Sequence, residues 1–176
     1  MKNLFLLLIF ILPVHATIPS IIGSNLIEQT CKQTPYYKLC VWSLVSNPHS
    51  FSTDLIGLAK IMIYTIDAKA TNALERINNL LDQSSSLISL EERQELRVCA
   101  DRYSVIIRGD VPQSIEALRT GNYNFAYEGA SDAAAEAMSC EEGFSRVGKS
   151  PISEINIAVH DVSVVAASIN KIIISS

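Results

Sequence analysis

NFAYEGASDAAAEAMSCEEGF, residues 124–144, decides the fold. Ala126, Ala130, Ala133, Ala137, Cys140 and Phe144 recur at alternating steps of four and three. That period places all six on one stripe of an α-helix. Alanines offer little volume, so a neighbouring helix has to approach closely along the stripe. Gly121-Asn122 before it is a stop and turn signal, and the stretch from Gly148 to Pro151 breaks the pattern after it.

The same period holds on both sides. Within residues 53–82 the apolar positions are Leu55, Leu58, Met62, Ile66, Ala70, Ala73, Ile77 and Leu80. Ser89-Leu90-Glu91-Glu92 is a capping box, in which hydroxyl and carboxylate each satisfy an orphan amide. It opens a helix with Leu96, Cys99, Tyr103 and Ile106 inward. Pro112 lacks an N–H and is expected to kink or interrupt that helix, with Ile115 and Leu118 resuming the stripe. A last helix over 153–173 carries Ile155, Ala158, Val162, Val165, Ile169 and Ile172. It is apolar enough to suggest a lipid-anchor tail, but His160, Asp161, Asn170 and Lys171 interrupt it, so it reads as a core helix. No segment alternates as a strand does. The fold class is all-α: an up-down-up-down four-helix bundle over 51–176.

Before the bundle, Lys2 and an apolar run from Leu4 to Val14 end at Val14-His15-Ala16, a small-x-small cleavage signal. The run is too short for a membrane span, which needs about 20 residues. Residues 1–16 therefore read as a secretory signal peptide, leaving no membrane segment after its removal. Without Lys2 the mature chain has 13 basic and 18 acidic residues, so the net charge goes from −4 to −5. Nothing in that balance suggests nucleic acid as a partner. There is no N-glycosylation sequon.

A secreted chain with four cysteines should form two disulfides, with three possible connectivities. Cys99 and Cys140 lie on inward stripes of helices that should be antiparallel neighbours. A bridge there leaves Cys31 and Cys40 to each other, around Pro35. Residues 17–50 then form a small helical hairpin stapled at its base.

Residues 143–150, GFSRVGKS, match a phosphate-binding loop, G-x-x-x-x-G-K-S. Such a loop needs a strand before it and a helix directly after it. Here a helix precedes it and Pro151 follows, so it reads as a helix-to-helix loop. His15, His49 and His160 are too scattered for a metal site, and no cofactor motif is present. Asp110, Glu116 and Glu128 read as a solvated helix face rather than an acid–base pair. A bundle without visible catalytic machinery more naturally binds something than converts it.

TCKQTPYYKLC (30–40), DLIGLAKIMI (54–63), VPQSIEAL (111–118), SCEEGFS (139–145) and SPISEINIAVHDVS (150–163) resemble the plant invertase and pectin methylesterase inhibitor family. The likeness covers essentially the whole mature chain, including the cysteine spacing. It implies a four-helix bundle after a helical hairpin, with first-to-second and third-to-fourth disulfides, and an inhibitor rather than an enzyme. Invertase inhibitors carry Pro-Lys-Phe in the turn before the third bundle helix, which enters the invertase active site and meets its carboxylates. The matching positions in GNYNFAYEG (121–129) are Tyr123, Asn124 and Phe125, of which only the phenylalanine is shared. The wording of the first helix and of INIAVHDVS leans toward invertase. Cell-wall or vacuolar acid invertase is the implied partner, with an apoplastic or vacuolar location. A Gly-x-Tyr turn, which pectin methylesterase inhibitors also carry, keeps pectin methylesterase as the alternative. A carrier of apolar ligands is the rival of another class, and would need a wide cavity beside the alanine stripe.

Overall fold

The computed structural model describes residues 18–82 and 88–176; the expected signal peptide at 1–16 lies outside them. Seven α-helices follow in order: α1 Ile18–Cys31, α2 Tyr37–Val45, α3 Leu55–Asp82, α4 Leu90–Val105, α5 Val111–Thr120, α6 Tyr123–Gly143 and α7 Ser153–Ile174. No strand occurs among the described residues. The rod from α4 to α5, together with α3, α6 and α7, makes the bundle, while α1 and α2 pack on its side.

Burial follows the apolar stripes. In α3, Leu58, Met62, Ile66, Ala70, Ala73 and Ile77 are fully buried, and only the end positions Leu55 and Leu80 are partly open. The α6 stripe is covered from Ala126 to Phe144. Its small side chains allow a near contact with the helix beside it. A Cβ on Gly129 would collide with Ser114 Oγ and come within 2.9 Å of the Asp110 carbonyl oxygen.

The capping box forms as expected: Glu92 N–H donates to Ser89 Oγ at 3.1 Å, and Ser89 N–H donates to Glu92 Oε2 at 2.7 Å. Both disulfides pair as expected, Cys31–Cys40 with Cα atoms 5.5 Å apart and Cys99–Cys140 with 5.0 Å.

The α-helical ladder is interrupted just before Pro112, as the sequence predicts, and the interruption takes the form of a π turn. A π turn over Ile106–Asp110 inserts one extra residue, and Val111 N–H donates five residues back to Ile106 C=O. α5 then starts at Val111 with Pro112 in its first turn, a position that proline tolerates.

Two inward faces differ from the apolar pattern. In α7 Val162, Val165 and Ile169 are buried as expected, Asn156, Val159, Ser163, Ala166, Ala167 and Asn170 are buried beside them, and Ile155, Ala158 and Ile172 are only half-buried. Three buried polar residues seven apart rotate the face away from the stripe the apolar residues predict. Asn156 explains part of this: it accepts from Tyr103 Oη at 2.7 Å and donates through Nδ2 to Glu141 Oε2 at 2.7 Å, while Ser153 Oγ donates to Glu141 Oε1 at 2.6 Å. Burial, with the Glu141 charge second, holds the Tyr103 phenol protonated well above its usual range. The other correction is Asp110, expected on a solvated face. Its carboxyl is half-buried, and Oδ2 has no hydrogen-bond partner. Burial, followed by the charges of Asp132 and Glu136, raises its pKa to about 6.

α7 is long and apolar enough to cross a membrane by length and composition, with a mean hydropathy of 1.6. Its Val159, Val162, Val165 and Ile169 are nevertheless fully enclosed by the other helices.

Candidate functional site

The expected site residues fall at one end of the bundle, where α5 turns into α6. Gly121 ends α5 in the left-handed region, φ 74°, which glycine adopts without a Cβ penalty. The N–H groups of Gly121 and Asn122 both donate to Ala117 C=O, the latter at 2.8 Å. The chain thus reverses within two residues, and Asn122 C=O accepts from Phe125 N–H at 3.1 Å to start the next helix.

Tyr123, Asn124 and Phe125 are consequently the first turn of α6, rather than a loop ahead of it. Asn122 stands at the N-cap, but its side chain caps nothing. The Tyr123 and Asn124 amides therefore have no side-chain cap, at the positive pole of the helix dipole. The three side chains divide in role. Tyr123 is half-buried and packs on the core. Asn124 is exposed, and Phe125 is 49% exposed although it is large and apolar. An aromatic that simply closed the end of the core would be covered.

Two further features of this end were not singled out by the sequence pattern. Tyr127 is also exposed, and it lines a shallow groove of about 320 Å³ between α6 and α7 that reaches Lys171. On the α5 side, Arg119 forms a two-pronged pair with Glu116, Nε to Oε2 at 2.7 Å and Nη2 to Oε1 at 2.6 Å. Hydrogen bonding to Arg119 lowers the Glu116 pKa. Tyr127 sits two residues from Phe125, off the helical stripe that draws attention to core positions, so only its exposure distinguishes it.

At the far end, residues 143–150 join α6 to α7 through a short 3₁₀ turn, Phe144–Arg146, with no strand before them. Ser150 Oγ accepts from Ile152 N–H, and Pro151 precedes α7. This is the helix-to-helix loop expected, and no phosphate cradle forms. Among the described residues no group of three or more His, Cys, Asp or Glu side chains is arranged to hold a metal ion.

Comparison with known proteins gives concordant matches. The family profile described as plant invertase/pectin methylesterase inhibitor matches residues 25–169. "Cell wall / vacuolar inhibitor of fructosidase 1" of Arabidopsis thaliana is 38% identical over 145 residues, 82% of this chain and 67% of that protein. A "pectinesterase inhibitor" of Actinidia deliciosa is 33% identical over 143 residues, 81% and 75% of the two chains. Among solved structures, a mutant form of a pectin methylesterase inhibitor from Arabidopsis superimposes with a TM-score of 0.70, covering 82% of this chain and 95% of that one. At 21% identity that likeness concerns the fold.

Proposed function

Because the chain belongs to the plant invertase/pectin methylesterase inhibitor family, we propose that it is a secreted protein inhibitor of plant acid invertase acting in the apoplast or vacuole. The unit comprises the hairpin extension at 17–50 and the bundle at 51–176, freed of the signal peptide at 1–16. The observation that carries the reading is the exposed, uncapped first turn of α6 with Phe125 half in solvent.

The mechanism is occlusion. Phe125 enters the substrate cleft as an aromatic anchor. The uncapped Tyr123 and Asn124 amides and the Asn124 side chain donate hydrogen bonds to the acidic groups of the target. Asn124 is a neutral donor where the family's lysine would be a charged one, and a neutral bond is roughly half as strong. The Cys99–Cys140 bridge holds α6 to α4, so little ordering entropy is lost on binding.

A second reading is inhibition of pectin methylesterase, favoured by the Actinidia relative and by the Gly121-Asn122-Tyr123 turn. The third, a carrier of apolar ligands, loses its support, since the α6 alanines serve close helix packing.

The test is a parallel inhibition assay of the mature protein against one acid invertase and one plant pectin methylesterase. Phe125→Ala should weaken invertase inhibition by about 1–3 kcal/mol without unfolding the protein. Asn124→Lys should strengthen it, with a gain that shrinks as salt rises. Tyr123→Pro should be accepted at the first helical position, where proline is pre-organised. If Phe125→Ala and Asn124→Lys both leave the constant unchanged, the first turn of α6 is not the binding element and the pectin methylesterase reading moves ahead.

A further inference from the structure

A groove on another face of the bundle has a composition that inhibition through the α5–α6 end does not use. Trp42, the sole tryptophan of the chain, projects from α2 with 68% of its surface exposed. It walls a groove of about 450 Å³ between α3 and α7, together with Lys69 and Asn72. That groove shares Glu154 and Ile155 with a neighbouring cleft of about 520 Å³, lined by Arg76 and Lys149. The two lie side by side across Glu154 and Ile155, and together they make the channel. Lys69, Asn72 and Arg76 succeed one another along α3, and Lys69 and Arg76 stand about 10 Å apart along the axis. Lys149 closes the channel from the loop before α7.

The charge of this channel runs against that of the molecule. The chain carries a net charge of −4, yet the channel holds three cations against the single carboxylate of Glu154. None of the three cations forms an ion pair among the described residues, whereas Lys32, Arg102 and Arg119 all do. A flat indole left in water beside an amide is the arrangement that stacks on the apolar face of a sugar ring, with Asn72 placed for ring hydroxyls. A row of spaced cations suits carboxylates that repeat along a chain, rather than one small anion.

From this the geometry points to a binding site for an acidic oligosaccharide: a uronic-acid chain stacks one ring on Trp42 and sets its carboxylates against Lys69, Arg76 and Lys149. The site lies on the α3–α7 face and ends at the α6–α7 loop. The first turn of α6 is at the opposite end of the bundle, because α6 runs the full length between the two. The proposal is therefore independent of which enzyme the other end meets. It also gives Lys149, the lysine of the inert phosphate-loop match, a role.

The sole tryptophan makes the test direct. Hexagalacturonate titrated into the mature protein at low ionic strength should change Trp42 emission saturably, and the affinity should fall as salt rises. The fully methyl-esterified hexamer, which has the same rings without the charges, should bind about tenfold more weakly or not at all. The triple variant Lys69→Gln, Arg76→Gln, Lys149→Gln should lose about tenfold or more in affinity with its circular dichroism unchanged. Trp42→Ala, followed by calorimetry, should lose binding as well. Invertase inhibition should be unchanged in both variants. Absence of a saturable emission change overturns the proposal. So does equal affinity for the esterified hexamer, or equal affinity for polyphosphate, which would make the channel a general polyanion surface.

Discussion

Asp110→Asn should make the protein more stable at neutral pH and change little at pH 4. Asp110 closes the π turn, and its half-buried carboxyl meets the negative potential of Asp132 and Glu136 on α6. Glu136 has a cation of its own, Arg102 at 2.7 Å, while Asp110 Oδ2 has no hydrogen-bond partner. Burial therefore lifts the pKa from 3.8 to about 6 in the folded state. Between those values the folded chain holds a proton that the unfolded chain has released. The stability tied to this group is thus complete below the unfolded pKa and is lost as pH rises through about 6. The full rise corresponds to about 3 kcal/mol. Partial solvation screens it, and about 1–2 kcal/mol is the expected cost of ionised Asp110.

Asparagine copies the shape of the protonated acid and never ionises. The stability difference between variant and wild type should be small at pH 4 and reach about 1–2 kcal/mol at pH 7.5, a melting shift of about 2–8 °C. Urea titration followed by circular dichroism at both pH values measures it, with the m-value as a check that the unfolded state is unchanged. A difference of the same size at both pH values would refute the reasoning, because the effect would then come from packing.

Three further outcomes test the core. Removing Cys99–Cys140 by paired alanines should cost about 4 kcal/mol and removing Cys31–Cys40 about 3, since the closed loops span separations of 41 and 9 residues; equal melting shifts would count against the loop-entropy account. Tyr103→Phe should cost about 1–3 kcal/mol because it strips the buried Asn156 oxygen of its donor, read by urea titration against a Tyr36→Phe control at a less buried phenol. Gly129→Ala should cost about 1–3 kcal/mol, since the new methyl meets the Asp110 backbone, which cannot rotate away; a neutral thermal shift would mean that α5 and α6 separate freely.

The sequence carries the bundle because a period of three and four residues is all that α3 and α6 need to declare a face. It carries the Cys99–Cys140 bridge because those two cysteines fall on the inward faces of α4 and α6. It fails where the core is polar. Asn156, Ser163 and Asn170 are fully buried in α7, and a pattern read from apolar residues turns that helix slightly the wrong way. Asp110 is misjudged for the same reason, since a charged side chain reads as solvated until its surroundings are known. Pro112 marks the interruption of the helix in the sequence, but not that it takes the form of a π turn. At the candidate site the positions 123–125 are legible from the family resemblance. Their place at the start of α6 is nearly legible too, since the helix read from about Asn124 begins one residue after the observed start at Tyr123. The exposure of Phe125, Tyr127 and Trp42 is a property of packing, which spacing alone does not encode.

If the first turn of α6 is the proposed binding element, stability and recognition are separable in this molecule, and that follows from where each sits. The buried polar network of Tyr103, Asn156 and Glu141 and the Cys99–Cys140 bridge tie α4, α6 and α7 together toward the middle and the loop end of the bundle. The first turn of α6 lies beyond them, held by Tyr123 on the core and by the left-handed Gly121, so Asn124 and Phe125 can change without disturbing a buried contact. Asp110 lies about ten residues of helix from that turn, roughly 15 Å along α5. Changes at Asp110 and at Phe125 should therefore add independently. In the double variant Asp110→Asn, Phe125→Ala, the gain in stability at pH 7.5 should equal that of Asp110→Asn alone within about 0.5 kcal/mol, and the loss of inhibition should equal that of Phe125→Ala alone. A coupling larger than that would mean that the π turn sets the position of the α6 first turn, and that the pH dependence of the core reaches the target.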